Sequence, residues 1–246
     1  MMRGVIVAAI CAAAFAGQAT AADIKVFSDG PLERALVAAA KAFGNETGHN
    51  VNFVFGLSPV IHKRISEGER GDLVIIQPAF IGELVKAGKV VAGDHPTVAS
   101  VGVGLMVRAD AKAPDVASVE AFKRALQAAD TIVFNNVASG NAFAQVLDRV
   151  GLADSLKSKI VRAPPTEVTA RILQGAGNDI GAGLLPVIIA DKRFKLAGAL
   201  PAELQSPIPY AVAPMTDAGQ PEAAKAFVQF LVSPKAKAEF AAAGII

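Results

Sequence analysis

The run Leu73-Val74-Ile75-Ile76 most restricts what this chain can fold into. Four consecutive apolar residues leave no polar face, so a strand built from them must be covered on both sides. Ile24-Lys25-Val26-Phe27 and Val51-Asn52-Phe53-Val54-Phe55 are two further short β-rich runs. Between those two, Leu32, Leu36, Ala39, Ala40 and Phe43 recur at helical spacing, and the helix is expected to stop near Gly44-Asn45. Val60, Ile61 and Ile65 begin a second helix that ends at Gly68. Strand, helix, strand, helix, strand is the pattern of a parallel sheet with right-handed crossovers.

The pattern returns downstream. Ile132-Val133-Phe134 and Ile160-Val161 read as strands, Phe143 to Val150 and Val168 to Leu173 as helices, before the Gly-rich Ile180-Gly181-Ala182-Gly183-Leu184-Leu185. Val98 to Val107 and Ile208 to Ala213 are extended runs suited to carrying the chain between the two units and back. A last helix, Pro221 to Leu231, is expected to continue through Pro234 to Phe240 and pack on the first unit. The expected class is α/β with two lobes, each a mixed, mostly parallel sheet flanked by helices. The expected division is a discontinuous lobe I over 22–98 and 212–246, with lobe II over 99–211.

The N-terminus carries an expected secretory signal over 1–21. Arg3 supplies the positive end, Gly4 to Ala16 is an uncharged apolar stretch, and Gln18-Ala19-Thr20-Ala21 offers small residues for cleavage. The stretch is too short and wrongly flanked to anchor the chain in a membrane. Cys11, the one cysteine, lies inside it, so the mature chain is expected to hold no disulfide and no thiol chemistry. Without Arg3, 23 basic residues face 22 acidic ones, a balance that argues against a nucleic-acid partner.

Chemistry is expected where helices begin. Ser28-Asp29-Gly30-Pro31 follows the first strand, and Ser58-Pro59 follows the second, with Ser58 as the expected N-cap and Pro59 behind it. Asn135-Asn136-Val137-Ala138-Ser139-Gly140-Asn141 and Pro164-Pro165-Thr166-Glu167 do the same in the second unit. In an open parallel sheet these turns all lie at the carboxyl ends of the strands, where ligands bind. Each helix start carries about half a positive charge, which makes an anion the expected ligand. Asp29 runs against that expectation, because a carboxylate beside an anion is unfavourable unless it caps a helix, meets an Arg or contacts a ligand hydroxyl. The prolines also remove amides that an oxyanion could use. His49, His62 and His95 form no ligand-spaced pair, so no metal is expected. Ser139-Gly140 lacks the first glycine of a nucleophile elbow, and no phosphate loop or dinucleotide fingerprint is present. No cofactor is expected.

The sequence resembles the periplasmic molybdate-binding-protein-like family, the type 2 solute-binding proteins of ABC importers. The likeness rests on Val26-Phe27-Ser28-Asp29-Gly30-Pro31-Leu32, on Ile65-Ser66-Glu67-Gly68 with Gly71-Asp72-Leu73-Val74-Ile75, and on Leu84 to Val90. It extends through Val137-Ala138-Ser139-Gly140, Asp179-Ile180-Gly181 and the C-terminal Ala223, Phe227, Leu231, Ser233 and Pro234. The resemblance implies an oxyanion held by serines of the first two turns, by main-chain amides of the third and of a later helix, and by a tyrosine. Here Pro31 replaces the first serine, Ser58 matches the second, Ser139 occupies the third turn, Val168 the fourth, and Leu184 stands at the tyrosine. Ala113-Pro114-Asp115-Val116 through Ala121-Phe122-Lys123, then Ala138-Ser139-Gly140, looks like a divergent branch that includes an aconitate isomerase, which turns the expectation from molybdate toward an organic acid.

The expected function is thus capture of a small anion between two lobes, by a monomer that serves a membrane ABC permease from the periplasm. The expected ligand-binding residues are Ser28, Asp29, Ser58, Asn135, Ser139, Asn141, Thr166, Val168 and Arg171. A rival expectation is an isomerase that shifts a double bond in an unsaturated polycarboxylate, with Asp29, His62 or Glu167 as base. A sensor domain with the same cleft and no permease is a third.

Overall fold

The computed structural model describes residues 21–175 and 177–245; the export segment expected over 1–21 lies, apart from Ala21, outside them. In chain order the elements begin with β1 (Asp23–Asp29), α1 (Glu33–Thr47), β2 (Asn50–Gly56), α2 (Ser58–Ser66), β3 (Leu73–Ile76), α3 (Pro78–Lys86) and β4 (Thr97–Val101). They continue with β5 (Val103–Arg108), α4 (Val119–Ala128), β6 (Thr131–Asn135), α5 (Ala138–Arg149), α6 (Ala153–Leu156) and β7 (Ile160–Ala163). The remainder are α7 (Pro165–Gln174), β8 (Asp179–Leu184), α8 (Leu185–Ala190), β9 (Phe194–Ala199), β10 (Ile208–Pro214), α9 (Pro221–Leu231) and α10 (Pro234–Ala242).

These strands form two five-stranded sheets of the same design. The first has the order β2-β1-β3-β10-β4, the second β7-β6-β8-β5-β9. In the first, β1 runs parallel to β2 and β3, while β10 is antiparallel to β3 and β4. In the second, β6 runs parallel to β7 and β8, while β5 is antiparallel to β8 and β9. Each sheet therefore has three parallel strands whose carboxyl ends open on one edge. The chain passes from the first sheet to the second across Gly102 alone and returns between Ala199 and Ile208.

Side-chain alternation puts a core on each face of each sheet. Leu73 and Ile75 pack with Leu36, Phe43, Phe227 and Phe240 of α1, α9 and α10. Val74 and Ile76 face the other way, onto Ile61, Ile65 and Leu84 of α2 and α3. All four residues of β3 are fully buried, as a strand covered on both sides requires. In the second sheet Ile132 and Phe134 meet Phe122 and Phe143 of α4 and α5, and Val133 meets Val168, Ile172 and Ile188 of α7 and α8. Burial of such a side chain contributes about 1.5–3 kcal/mol.

Two helix ends differ from their expected places. Helix α1 runs through Gly44-Asn45 and stops at Gly48, whose left-handed backbone (φ +76°) returns its N–H to the Gly44 carbonyl at 2.8 Å. Gly44 is needed inside the helix because a Cβ there would lie 2.9 Å from the His49 carbonyl oxygen. The C-terminal helix is broken after Leu231, and the Ser233 hydroxyl caps α10 by accepting the Ala236 N–H at 3.3 Å.

Candidate functional site

A cavity of about 420 Å³ lies between the two sheets. All six turns at the carboxyl ends of the parallel strands reach it. The first sheet sends Asp29 and Pro31 after β1, Leu57, Ser58 and Pro59 after β2, and Gln77 and Phe80 after β3. The second sends Asn135, Ser139 and Asn141 after β6, Pro165, Val168 and Thr169 after β7, and Leu184, Val187 and Ile188 after β8. Tyr210 of β10 and Met106 of β5 complete the walls. Leu184 packs against the cores of both sheets, so the two halves touch beside the cavity.

Sequence position and tertiary position agree unevenly. Asp29, Ser58, Asn135, Ser139, Asn141 and Val168 all line the cavity. Ser28 is fully buried away from it, its hydroxyl donating to the Asp29 carbonyl at 3.4 Å. Thr166 and Arg171 do not line it, and Arg171 pairs with Glu167 at 3.4 Å on an exposed helix face. His62 also lies outside, paired with Glu83 at 3.1 Å. Of the three groups proposed as a base, only Asp29 faces the cavity.

The start of α2 differs from the expected capping. Leu57, not Ser58, is the N-cap, its carbonyl accepting the Val60 and Ile61 N–H groups at 2.8 and 2.9 Å. Ser58 is the first helical residue, and its hydroxyl turns to Asp29. The Ser58 N–H donates to Asp29 Oδ2 at 3.0 Å and the Ser58 hydroxyl donates to the same oxygen. The Ser58 oxygen in turn accepts the Gln77 N–H at 3.3 Å, which links three successive turns. Asp29 Oδ1 is buried with no hydrogen-bond partner among the described residues. Burial pushes the Asp29 carboxyl above its ordinary pKa, and the hydrogen bonds from Ser58 oppose that shift only in part. Burial, with the nearby Asp29 charge added, pushes the Tyr210 phenol far above its ordinary value, so it stays protonated.

The start of α5 is built differently. Asn135 Oδ1 accepts the N–H groups of Val137 at 3.1 Å and Gly140 at 2.9 Å, and Asn135 Nδ2 donates to the Ser139 hydroxyl at 2.8 Å. Asn135 thereby holds the turn in shape rather than standing free for a ligand. Ser139 accepts from Asn135, which leaves its own O–H to donate elsewhere. The Asn141 side-chain oxygen Oδ1 accepts from Arg162, which leaves the side-chain NH₂ group of Asn141. The amides of Ala138 and Ser139 lie in the first turn and face no intrahelical carbonyl. Unlike α2, α3, α7 and α8, helix α5 begins without a proline and keeps these donors.

Among the described residues no Lys, Arg or His side chain lines the cavity. Asp191, the second acid on its wall, is matched by Arg193 at 2.6 Å, whose hydrogen bonds hold the Asp191 carboxyl below its ordinary pKa. Positive potential in the cavity therefore comes from helix starts.

Gln77, Phe80, Leu184, Val187 and Tyr210 were not among the expected contacts. Gln77-Pro78 directly follows the strand Leu73–Ile76, and Leu184-Leu185-Pro186 closes the Gly-rich strand. Both repeat the strand-then-proline pattern of Pro31 and Pro59, so a signal was present. Tyr210, the chain's one tyrosine, sits in a buried strand and carries no local sign of its role.

Residues 24–246 match the family described as bacterial extracellular solute-binding protein. The aconitate isomerase of a Pseudomonas species is 26% identical over 219 residues, covering 87% of this chain and 83% of that protein. The molybdate-binding protein ModA of Azotobacter vinelandii is 28% identical over 238 residues, covering 94% and 92%. Among solved structures, the periplasmic molybdate-binding protein of Azotobacter vinelandii superposes with a TM-score of 0.72 at 24% identity, covering 91% of this chain and 98% of that one.

Proposed function

The chain belongs to the bacterial extracellular solute-binding protein family, and from that membership we propose that it captures a small anion, an organic acid in particular, between its two sheets. One observation carries the reading: six strand-to-helix turns, three from each of two equivalent sheets, meet at a single cavity of about 420 Å³. A tetrahedral oxyanion leaves most of that volume unfilled, whereas a carbon skeleton fits against Leu57, Phe80, Val137, Val187 and Ile188. The ligand contacts in this reading are Asp29, Ser139, Asn141, Tyr210 and the first-turn amides of α5.

The two halves act as lobes that close on the solute by flexing where the chain crosses between sheets, near Gly102 and Gln205. Closure removes water and strengthens each hydrogen bond to the ligand. The protein works as a monomer in the periplasm, exported by a cleavable signal over 1–21, and passes its ligand to a membrane permease that touches the outer rims of both lobes. Calorimetric titration with molybdate, sulfate and a panel of di- and tricarboxylates tests this. Micromolar or tighter binding of an acid supports the reading, and no binding across the panel overturns it.

The 26% identical isomerase is the reason to weigh catalysis. Against it, His62 and Glu167 are paired away from the cavity, so of the three candidate bases only Asp29 remains. Incubation with trans-aconitate separates the readings: turnover to cis-aconitate favours the enzyme, and tight binding without turnover favours the receptor.

A further inference from the structure

Hydrogen-bonding capacity is divided unequally across the cavity, and the division deepens the receptor reading, on which it rests. On the first-sheet side almost every donor is absent or spent. Pro31, Pro59 and Pro78 have no N–H. The N–H and O–H of Ser58 both go to Asp29 Oδ2. What remains is Asp29 Oδ1, on a residue only 3% exposed and without a partner among the described residues. The Tyr210 hydroxyl and the Gln77 side-chain amide, on residues of the cavity wall, can each donate and accept. On the second-sheet side the balance is reversed: the start of α5 offers two amides, the Ser139 O–H and the Asn141 NH₂.

The geometry points to Asp29 as the group that selects the solute: its Oδ1 takes a hydrogen bond from a hydroxyl on the bound acid, whose carboxylate lies at the start of α5. The solute is thus a hydroxycarboxylate. A ligand hydroxyl satisfies both sides of this corner, donating to Asp29 and accepting from Tyr210. A fully ionised oxyanion has acceptors on every side, and it sets one of them against the unpaired carboxylate oxygen. The deoxy analogue of the same acid leaves Asp29 Oδ1 buried and unpaired, and such an omission is penalised heavily in a site built around a hydroxyl.

The test is calorimetric titration near neutral pH with matched pairs: lactate and propionate, malate and succinate, citrate and tricarballylate, with molybdate alongside. The hydroxy member of the best-binding pair is expected to bind about tenfold tighter than its partner, or more, and tighter than molybdate. In Asp29→Asn, whose amide supplies a donor at the same place, that preference falls to about threefold or less and molybdate binding strengthens. Acids that bind with no preference for the hydroxyl overturn the selection by Asp29 and leave the receptor reading standing. Molybdate binding more tightly than every acid overturns it as well. Absence of all binding removes both. The comparison of pairs in the unaltered protein does not depend on how well the variant folds.

Discussion

Asp29 and Ser58, 29 residues apart, meet through one carboxylate oxygen: Asp29 Oδ2 accepts both the backbone N–H of Ser58, at 3.0 Å, and its hydroxyl. The pair ties the end of β1 to the start of α2. It also consumes the serine that a helix-start argument would assign to an anion, and it leaves the second carboxylate oxygen buried without a partner among the described residues, on a residue of the cavity wall. A local capping motif has become a long-range clamp, and the polarity of the site follows from that exchange.

Stability should carry the signature of Asp29. Its pKa in the folded state is raised by burial, so the group favours folding fully while protonated and loses that contribution as pH rises through the folded-state value. Asn is of similar shape and does not ionise. The melting temperature of Asp29→Asn, relative to the unaltered protein, should therefore climb as the pH rises above about 4, the ordinary carboxylate pKa. Thermal melts followed by circular dichroism measure it; a difference independent of pH would mean the carboxyl is not desolvated.

Gly140 is irreplaceable for a steric reason. A Cβ there would lie 1.7 Å from the Asn135 carbonyl oxygen, a backbone atom that cannot swing aside. Gly140→Ala must push the first turn of α5 off the end of β6, breaking the Asn135 bonds that shape it. A loss of about 2 kcal/mol or more is expected, together with at least about tenfold weaker ligand binding. Gly82→Ala, inside α3 where a Cβ meets nothing within 4 Å, is the control and should leave binding unchanged while raising stability by about 0.5–1 kcal/mol.

Asp72 makes a prediction of the opposite kind. Its Oδ2 accepts the Lys25 N–H at 2.7 Å and its Oδ1 the Gln220 N–H at 2.8 Å, joining β1 to the start of α9. It precedes β3, at the end of the sheet away from the cavity. Asp72→Ala should cost about 2–4 kcal/mol in chemical denaturation, because two N–H groups lose a charged acceptor. Titration of the folded variant should return an unaltered ligand affinity.

Gln205 brackets the chain crossover. Its Oε1 accepts the Val103 N–H at 3.1 Å and its Nε2 donates to the Val103 carbonyl at 2.7 Å, joining the outgoing and returning segments between the sheets. In Gln205→Ala, hydrogen exchange at residues 102–104 and 205–208 should quicken by about tenfold, while β1 and β6 keep their protection. Uniform acceleration throughout would identify Gln205 as a general stabiliser instead of a local clamp.

Much of this molecule could be read from short stretches of chain. The fully apolar β3, the 3.6-residue spacing that leads to α1 and the proline-led turns after β1, β2 and β7 rest on interactions spanning a few residues, which a linear string displays. The ends of those elements were harder. Gly44 looked like a helix stop, yet Gly48 ends the helix, because the returning backbone at His49 makes Gly44 a contact rather than a break. The character of the cavity lay further out of reach. That Ser58 serves Asp29, that Asn135 serves its own turn, and that Tyr210 faces the ligand space depend on strand order, with β1 paired to both β2 and β3 and β10 beside β3. Periodicity and capping act along the chain, whereas a hydroxyl's choice of partner is settled by whichever group the sheet brings within 3 Å, and no local pattern carries that information.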